Sequence, residues 1–95
     1  VIAGEVVQDA DAEVLHREVL EIRRRVLGPR HPETLTSLSS LTAALAAQQR
    51  YDEAAAAAEE AYLAEEELLG ANNPRTLTSR YNLAATLRLA GEYAT

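Results

Sequence analysis

The sequence contains no cysteine, methionine, tryptophan or phenylalanine, and its aromatic residues are four tyrosines. Without cysteine the chain cannot form a disulfide, use a thiolate nucleophile or hold zinc through sulfur. Lysine is also absent, so arginine supplies all nine basic residues against fifteen acidic ones, for a net charge of −6. Nucleic-acid binding requires a clustered basic surface, so we do not expect a nucleic-acid partner.

Long apolar runs are missing as well, and none approaches the roughly 18 residues that a membrane-spanning helix needs. We therefore predict a soluble, cytoplasmic protein with no membrane partner. The length of 95 residues allows one small domain, which is too little for a catalytic core with an ordinary ligand cavity. Because no methionine is present even at position 1, we expect an excised segment of a longer protein.

An internal repeat is the most informative feature that the chain does have. Residues 27–53 recur at an offset of 42 residues, so that Leu27-Gly28, Pro32 and Thr34-Leu35-Thr36-Ser37 reappear as Leu69-Gly70, Pro74 and Thr76-Leu77-Thr78-Ser79. A fixed period of this length is typical of a solenoid, in which each unit is a helical hairpin that stacks on the next. Function is then expected on a repeated surface and not in a catalytic pocket.

Periodicity and turn signals predict four helices, over about 11–27, 32–47, 52–69 and 74–90. Residues 1–8 are predicted to hold the remnant of an earlier helix, and Gly91-Glu92-Tyr93 is predicted to form a turn. The first three helices each have a predicted inner stripe; the stripes are Leu15, Val19, Ile22 and Val26 in the first, Leu35, Leu38, Leu41 and Leu45 in the second, and Ala54, Ala58, Ala61 and Leu68 in the third.

These residues resemble the tetratricopeptide repeat, in the 42-residue form found in kinesin light chains and in large bacterial signalling proteins. The resemblance covers about residues 9–95 and is carried by Leu27-Gly28-Pro29-Arg30-His31-Pro32, by Leu41-Thr42-Ala43-Ala44-Leu45 and by Tyr51-Asp52-Glu53-Ala54. It implies an all-α fold, a right-handed α-solenoid of antiparallel helix hairpins. The chain would then hold a partial repeat over 1–28, a full repeat over about 29–70 and a partial repeat over about 71–95.

The resemblance also implies a concave groove lined by the first helix of each repeat, which would bind a peptide or partner protein. Tyr81, Asn82 and Arg88 are the sharpest candidates, because Tyr adds amphipathic area, a side-chain amide can hold a peptide backbone and Arg can pair with a carboxylate. Each of the three also has a purely structural interpretation as a packing, capping or solvated residue. The whole predicted groove comprises Thr36, Ser39, Ser40, Ala43, Ala47, Thr78, Tyr81, Asn82, Ala85, Arg88 and Leu89.

Two charged triplets support a second hypothesis. Arg23, Arg24 and Arg25 correspond at the 42-residue offset to Glu65, Glu66 and Glu67. Stacked repeats should bring the triplets close together, either as a solvated charge ladder within the chain or as a contact that pairs separate molecules head to tail. The alternative to a groove-binding module is accordingly a structural spacer or a self-association segment of a larger signalling or regulatory protein.

Catalysis is not indicated. His16 and His31 lie fifteen residues apart on a predicted helix and in a linker, no base is placed to activate the serines and threonines of 34–40, and no nucleophile-elbow motif is present. We predict no metal site, no cofactor and no enzymatic activity.

Overall fold

The computed structural model describes the backbone of residues 2–93 and the side chains of residues 11–92. Within these ranges the chain forms four α-helices and no strand: α1 (Ile2–Leu27), α2 (Pro32–Ala47), α3 (Tyr51–Leu69) and α4 (Pro74–Tyr93). Each helix packs against its neighbour in sequence, α1 on α2, α2 on α3 and α3 on α4. The predicted all-α solenoid is confirmed.

Linker chemistry explains why α2 and α4 begin where they do. His31 caps α2, since its Nδ1 accepts a hydrogen bond from the Glu33 backbone N–H at 3.1 Å. Asn73 occupies the equivalent position before α4, and its side-chain oxygen accepts from the Arg75 backbone N–H at 2.9 Å. A proline follows each cap at the first helical position, where a missing N–H costs nothing. His31 therefore has a local structural role as the cap of α2.

Two predicted helix boundaries are wrong. α1 continues without a break from Ile2, whereas a separate helix over residues 1–8 was expected; no glycine or proline lies between Gly4 and Gly28 to end it. α4 runs through Gly91 to Tyr93, where a turn was expected. A lone glycine costs a helix only about 1 kcal/mol, and no proline follows Gly91 to enforce a stop.

The core forms where α2 meets its two neighbours. The predicted stripe of Leu35, Leu38, Leu41 and Leu45 is confirmed, because each of these side chains is at most 4% exposed. Ala54, Ala58 and Ala61 of α3 are likewise buried, and their methyl groups allow α3 to lie close to α2. Leu68, predicted as the end of that α3 stripe, is instead 45% exposed.

The predicted inner stripe of α1 is on the wrong face. Leu15, Val19, Ile22 and Val26 are 59%, 39%, 56% and 74% exposed, while Leu20 is the α1 side chain buried against α2 at 4%. At the 42-residue offset the stripe corresponds to the face of α3 that packs on α2. Since no described element lies on that side of α1, the periodic stripe is left in solvent.

Candidate functional site

A groove of about 300 Å³ runs between α2 and α4. The two helices form its walls and α3 forms its floor, because α3 packs between them. The lining side chains are small; they are Ser39, Thr42, Ala43 and Ala46 of α2, Ala58 and Ala61 of α3, and Ser79, Asn82, Ala85 and Thr86 of α4.

Local hydrogen bonds decide what the groove presents to a ligand. The hydroxyls of Thr42 and Thr86 donate to backbone carbonyls one turn earlier in their own helices, at 2.8 and 2.7 Å. Their hydrogen-bonding capacity is thus partly used within the helix, which leaves a surface dominated by methyl groups. Within the described residues the Asn82 carboxamide has no hydrogen-bond partner, so it can both donate to and accept from a ligand.

A smaller and more polar cavity of about 270 Å³ adjoins the groove where α4 begins. The Glu65 carboxylate lies in its wall and is 4% exposed. It accepts a hydrogen bond from the Ser79 hydroxyl and lies 3.4 Å from Nε of Arg75. A buried charge with these partners is stable, so this carboxylate holds the first turn of α4 against α3.

The predicted groove residues fall into three groups. Ser39, Ala43, Asn82 and Ala85 line the groove, and Thr78 lines the adjoining cavity. Four others line neither space, namely Thr36, whose hydroxyl donates to the Pro32 carbonyl at 3.0 Å, Ser40, Ala47 and Leu89.

Tyr81 and Arg88 form the third group, on another side of α4. Tyr81 is 74% exposed and Arg88 is also exposed, and neither lines the groove. Their equivalents at the 42-residue offset, Ser39 and Ala46, lie on the side of α2 that faces the next repeat. Tyr81 and Arg88 therefore belong to the side of α4 turned away from α2.

Six groove residues were not predicted: Thr42, Ala46, Ala58, Ala61, Ser79 and Thr86. The four residues on α2 and α4 could have been found by asking which face of each helix is turned toward the neighbouring repeat. Ala58 and Ala61 were assigned only to the core, and they also form the groove floor.

The opposite surface differs from the groove because ion pairs cross it. A second space, of about 320 Å³, lies between α1 and α3 with α2 as its floor. Arg24 pairs with Glu60 across it, and Nη2 of Arg17 lies 3.9 Å from the Glu53 carboxylate. In the described residues no ion pair crosses the groove between α2 and α4, which is open by comparison.

Glu13 fixes α1 to the turn that follows α2. Its carboxylate accepts from Nε of Arg17 at 2.7 Å, from Nε2 of Gln48 at 3.0 Å and from the Arg50 guanidinium. These hydrogen bonds hold the pKa of Glu13 below its ordinary value, and the bond from Arg17 has the largest effect. The pKa of Glu53 is lowered in turn, mainly by the hydrogen bonds from Arg50.

The Arg23–Arg25 and Glu65–Glu67 triplets do not pair with each other in the described residues. Arg23 donates instead to Ser37 at 2.8 Å and to the Glu33 carbonyl at 2.9 Å, and Glu67 pairs with Arg30 at 2.9 Å. Arg23 and Glu65 are thus equivalent residues with the same structural role. Each forms a hydrogen bond with the serine in the first turns of the following helix, Ser37 and Ser79 respectively.

Charge is unevenly distributed between the two helix layers. α1 and α3 carry thirteen acidic residues and four arginines, whereas α2 and α4 carry two acidic residues and three arginines. The excess negative charge of the chain therefore lies on α1 and α3, away from the groove walls.

In the described range no helix is both long enough and apolar enough to cross a membrane. The same residues contain no cluster of three or more histidine, aspartate and glutamate side chains that could hold a metal ion.

The sequence matches the model of a known protein family. A family model described as Tetratricopeptide repeat matches residues 8–62 and again residues 43–95. No curated protein matches the chain. The two overlapping matches extend over nearly the whole sequence, and members of this family are in general non-catalytic modules that bind other proteins. The helical hairpins, their 42-residue period and this match together place the chain in the tetratricopeptide repeat family.

Proposed function

We propose that this segment is a non-catalytic protein-interaction module that binds an extended peptide of a partner protein in the groove between α2 and α4. The observation that carries the proposal is the groove itself, an open space of about 300 Å³ walled by small side chains with one unpartnered amide, that of Asn82.

The groove lining favours a peptide over a small polar ligand. Alanine methyl groups at positions such as 43, 58 and 85 let a peptide backbone approach closely. An extended peptide exposes backbone N–H and C=O groups, which the Asn82 carboxamide can bind as both donor and acceptor. The neutral groove walls also impose no strong charge requirement on the peptide, in contrast to the acidic α1 and α3 layer.

Selection from a displayed peptide library tests the proposal, followed by affinity measurement with matched variants. Ala43→Gln fills the groove, and Ala56→Gln places the same side chain on an exposed position of α3 on the opposite surface. We expect Ala43→Gln to abolish binding of the selected peptides and Ala56→Gln to preserve it. Peptides that bind both variants equally well would contradict the proposed site.

Asn82→Ala separates the amide contact from groove shape. Loss of one or two ligand hydrogen bonds should weaken binding about tenfold, while Asn72→Ala, at an exposed linker position, should have no effect. An unchanged affinity for Asn82→Ala would mean that the amide does not contact the peptide backbone.

A further inference from the structure

The polar cavity at the start of α4 contains a carboxylate that is buried and has few hydrogen-bond donors. This cavity of about 270 Å³ adjoins the groove and lies where α2, α3 and α4 meet. Within the described residues the Glu65 carboxylate accepts one hydrogen bond, from the Ser79 hydroxyl, and its other oxygen lies 3.4 Å from Nε of Arg75. A carboxylate has room for about four hydrogen bonds, so Glu65 retains acceptor capacity toward the cavity.

Glu13 provides a comparison within the same chain. Its side chain is 12% exposed, and its carboxylate accepts hydrogen bonds from Arg17, Gln48 and Arg50. Burial of a charge is costly unless hydrogen bonds replace the lost water, and Glu13 meets this requirement within the chain. The Glu65 side chain is buried more deeply, at 5% exposed, and has fewer donors. A further donor that enters the cavity is therefore bound favourably.

The preceding repeat shows that packing at this position does not require a carboxylate. The equivalent residue, Arg23, donates to the Ser37 hydroxyl at 2.8 Å and to the Glu33 carbonyl at 2.9 Å. A serine hydroxyl both donates and accepts, so it can bind a residue of either charge. The change from Arg23 to Glu65 thus leaves the contact with serine intact and turns a buried donor into a buried acceptor.

We propose that Glu65 selects a basic side chain, lysine or arginine, in the peptide that binds the groove. This inference rests on the proposed function, and the two sites are continuous because Asn82 and Ser79 line both the groove and the cavity. A peptide backbone that is held by Asn82 brings a neighbouring side chain to the cavity. The cationic end of that side chain donates to Glu65, and the Thr78 hydroxyl in the same cavity wall is a further acceptor.

An acidic side chain does not suit the cavity, although Arg75 also lines it. The Arg75 side chain is 55% exposed, so water and salt screen its charge, whereas the charge of Glu65 is shielded from both. An incoming carboxylate would therefore lie beside a buried like charge. A basic side chain can displace Arg75 into solvent, because the 3.4 Å contact of Arg75 with Glu65 is longer than a normal charge-assisted hydrogen bond. Arg75 thus competes with the ligand for Glu65.

Selection of displayed random peptides on the wild-type chain and on Glu65→Gln tests this inference. Glutamine keeps the shape of the side chain and an oxygen acceptor for Ser79 but removes the charge. Peptides that the wild type selects should carry lysine or arginine at one fixed position, and those that Glu65→Gln selects should not. Glu67→Gln is the matched control, because it makes the same change in net charge at an exposed position of α3, and it should keep the preference. Circular dichroism checks the helix content of each variant.

Affinity measurements with one selected peptide test the direct contact. Replacement of its basic residue by glutamine should weaken binding to the wild type at least about tenfold, which is the loss expected for one hydrogen bond between charged groups. The same replacement should change binding to Glu65→Gln by less than about twofold, since the contact is already absent there. Arg75→Gln should bind the basic peptide more tightly than the wild type does, because it removes the competing cation.

The outcomes separate this inference from the proposed function. Suppose that the selected peptides lose binding to Ala43→Gln and so occupy the groove. The inference is then overturned if they show no preference for a basic residue, or if Arg75→Gln weakens their binding, and the groove function stands. If no displayed peptide binds the groove, the proposed function fails and this inference fails with it. The peptide replacement and Arg75→Gln decide the question even if Glu65→Gln loses helix content.

Discussion

Replacement of Gln49 by glycine should stabilise the fold. Gln49 is the one non-glycine residue in the described range with a positive φ, at +62°. It follows the C-terminus of α2, where its N–H donates to the Ala46 carbonyl at 2.9 Å and the next N–H, of Arg50, donates to the Leu45 carbonyl at 3.0 Å. This is the Schellman pattern, whose left-handed position is usually glycine.

The size of the effect follows from two opposing terms. A left-handed conformation costs an L-residue with a Cβ about 1–2 kcal/mol, which glycine avoids. Glycine in turn loses more backbone freedom on folding, at a cost of about 0.5–1 kcal/mol. The Gln49 side chain is exposed and makes no hydrogen bond among the described residues, so its removal adds little. The net stabilisation should be about 0.5–1 kcal/mol, or roughly 3–6 °C in Tm for a domain of this size.

Thermal and urea unfolding followed by circular dichroism measure this difference. Ala47→Gly is the matched control, because Ala47 is exposed, is the last residue of α2 and has a helical φ. This substitution adds the backbone flexibility of glycine without relieving any strain. It should therefore lower the free energy of unfolding by about 0.5–1 kcal/mol. If Gln49→Gly destabilises the protein as Ala47→Gly does, the left-handed residue is not strained and the reasoning fails.

Three further predictions concern the core, a cap and acid stability. Leu38→Ala should cost about 3 kcal/mol in urea unfolding because Leu38 is fully buried, whereas Arg80→Ala at the equivalent exposed site should stay within about 0.5 kcal/mol. His31→Asn should preserve helix stability and His31→Ala should lose about 1 kcal/mol; equal Tm values for the two would contradict a capping role. The folded-state pKa of Glu13 is lowered, so its contribution is present above its unfolded pKa of about 4.3 and is lost as the pH falls through the folded value. Glu13→Gln should therefore be less stable than wild type at pH 7, with the two converging in acid; a constant difference at all pH values would contradict the assignment.

The sequence predicted the parts of the fold that have strong local causes. α2 begins at Pro32 and ends at Ala47 as expected, because a cap and a proline define its start and its leucines have a clear helical period. The glycines at 28 and 70 take the positive φ values that end α1 and α3. Continuation of α4 through Gly91 could not be seen from the repeat alone, since its equivalent, Gln49, lies in a turn.

Prediction failed where a helix has two faces of similar apolar character. In α1 the conspicuous stripe of Leu15 and Val19 is exposed while Leu20 is buried, because the described elements pack on one side of α1 only. The same problem affected the groove. One repeat registration predicts Ser39, Tyr81, Asn82 and Arg88 in the groove; Ser39 and Asn82 line the space between α2 and α4, whereas Tyr81 and Arg88 lie on the side of α4 that faces away from α2. Which face of a helix contacts the neighbouring repeat depends on how the repeats stack on one another. The sequence of one helix alone does not determine it.

The main packing contacts of each helix are with its neighbours in sequence, and this has a mechanical consequence. Contacts between residues that are close along the chain form with little loop-closure entropy, so folding should be rapid. Under tension along the solenoid, the exposed ion pairs between α1 and α3 are weak, and no described strand or helix clamps distant segments together. The force therefore meets one helix interface at a time. The segment should therefore lengthen in small successive steps at low force, as a compliant element, without one large rupture.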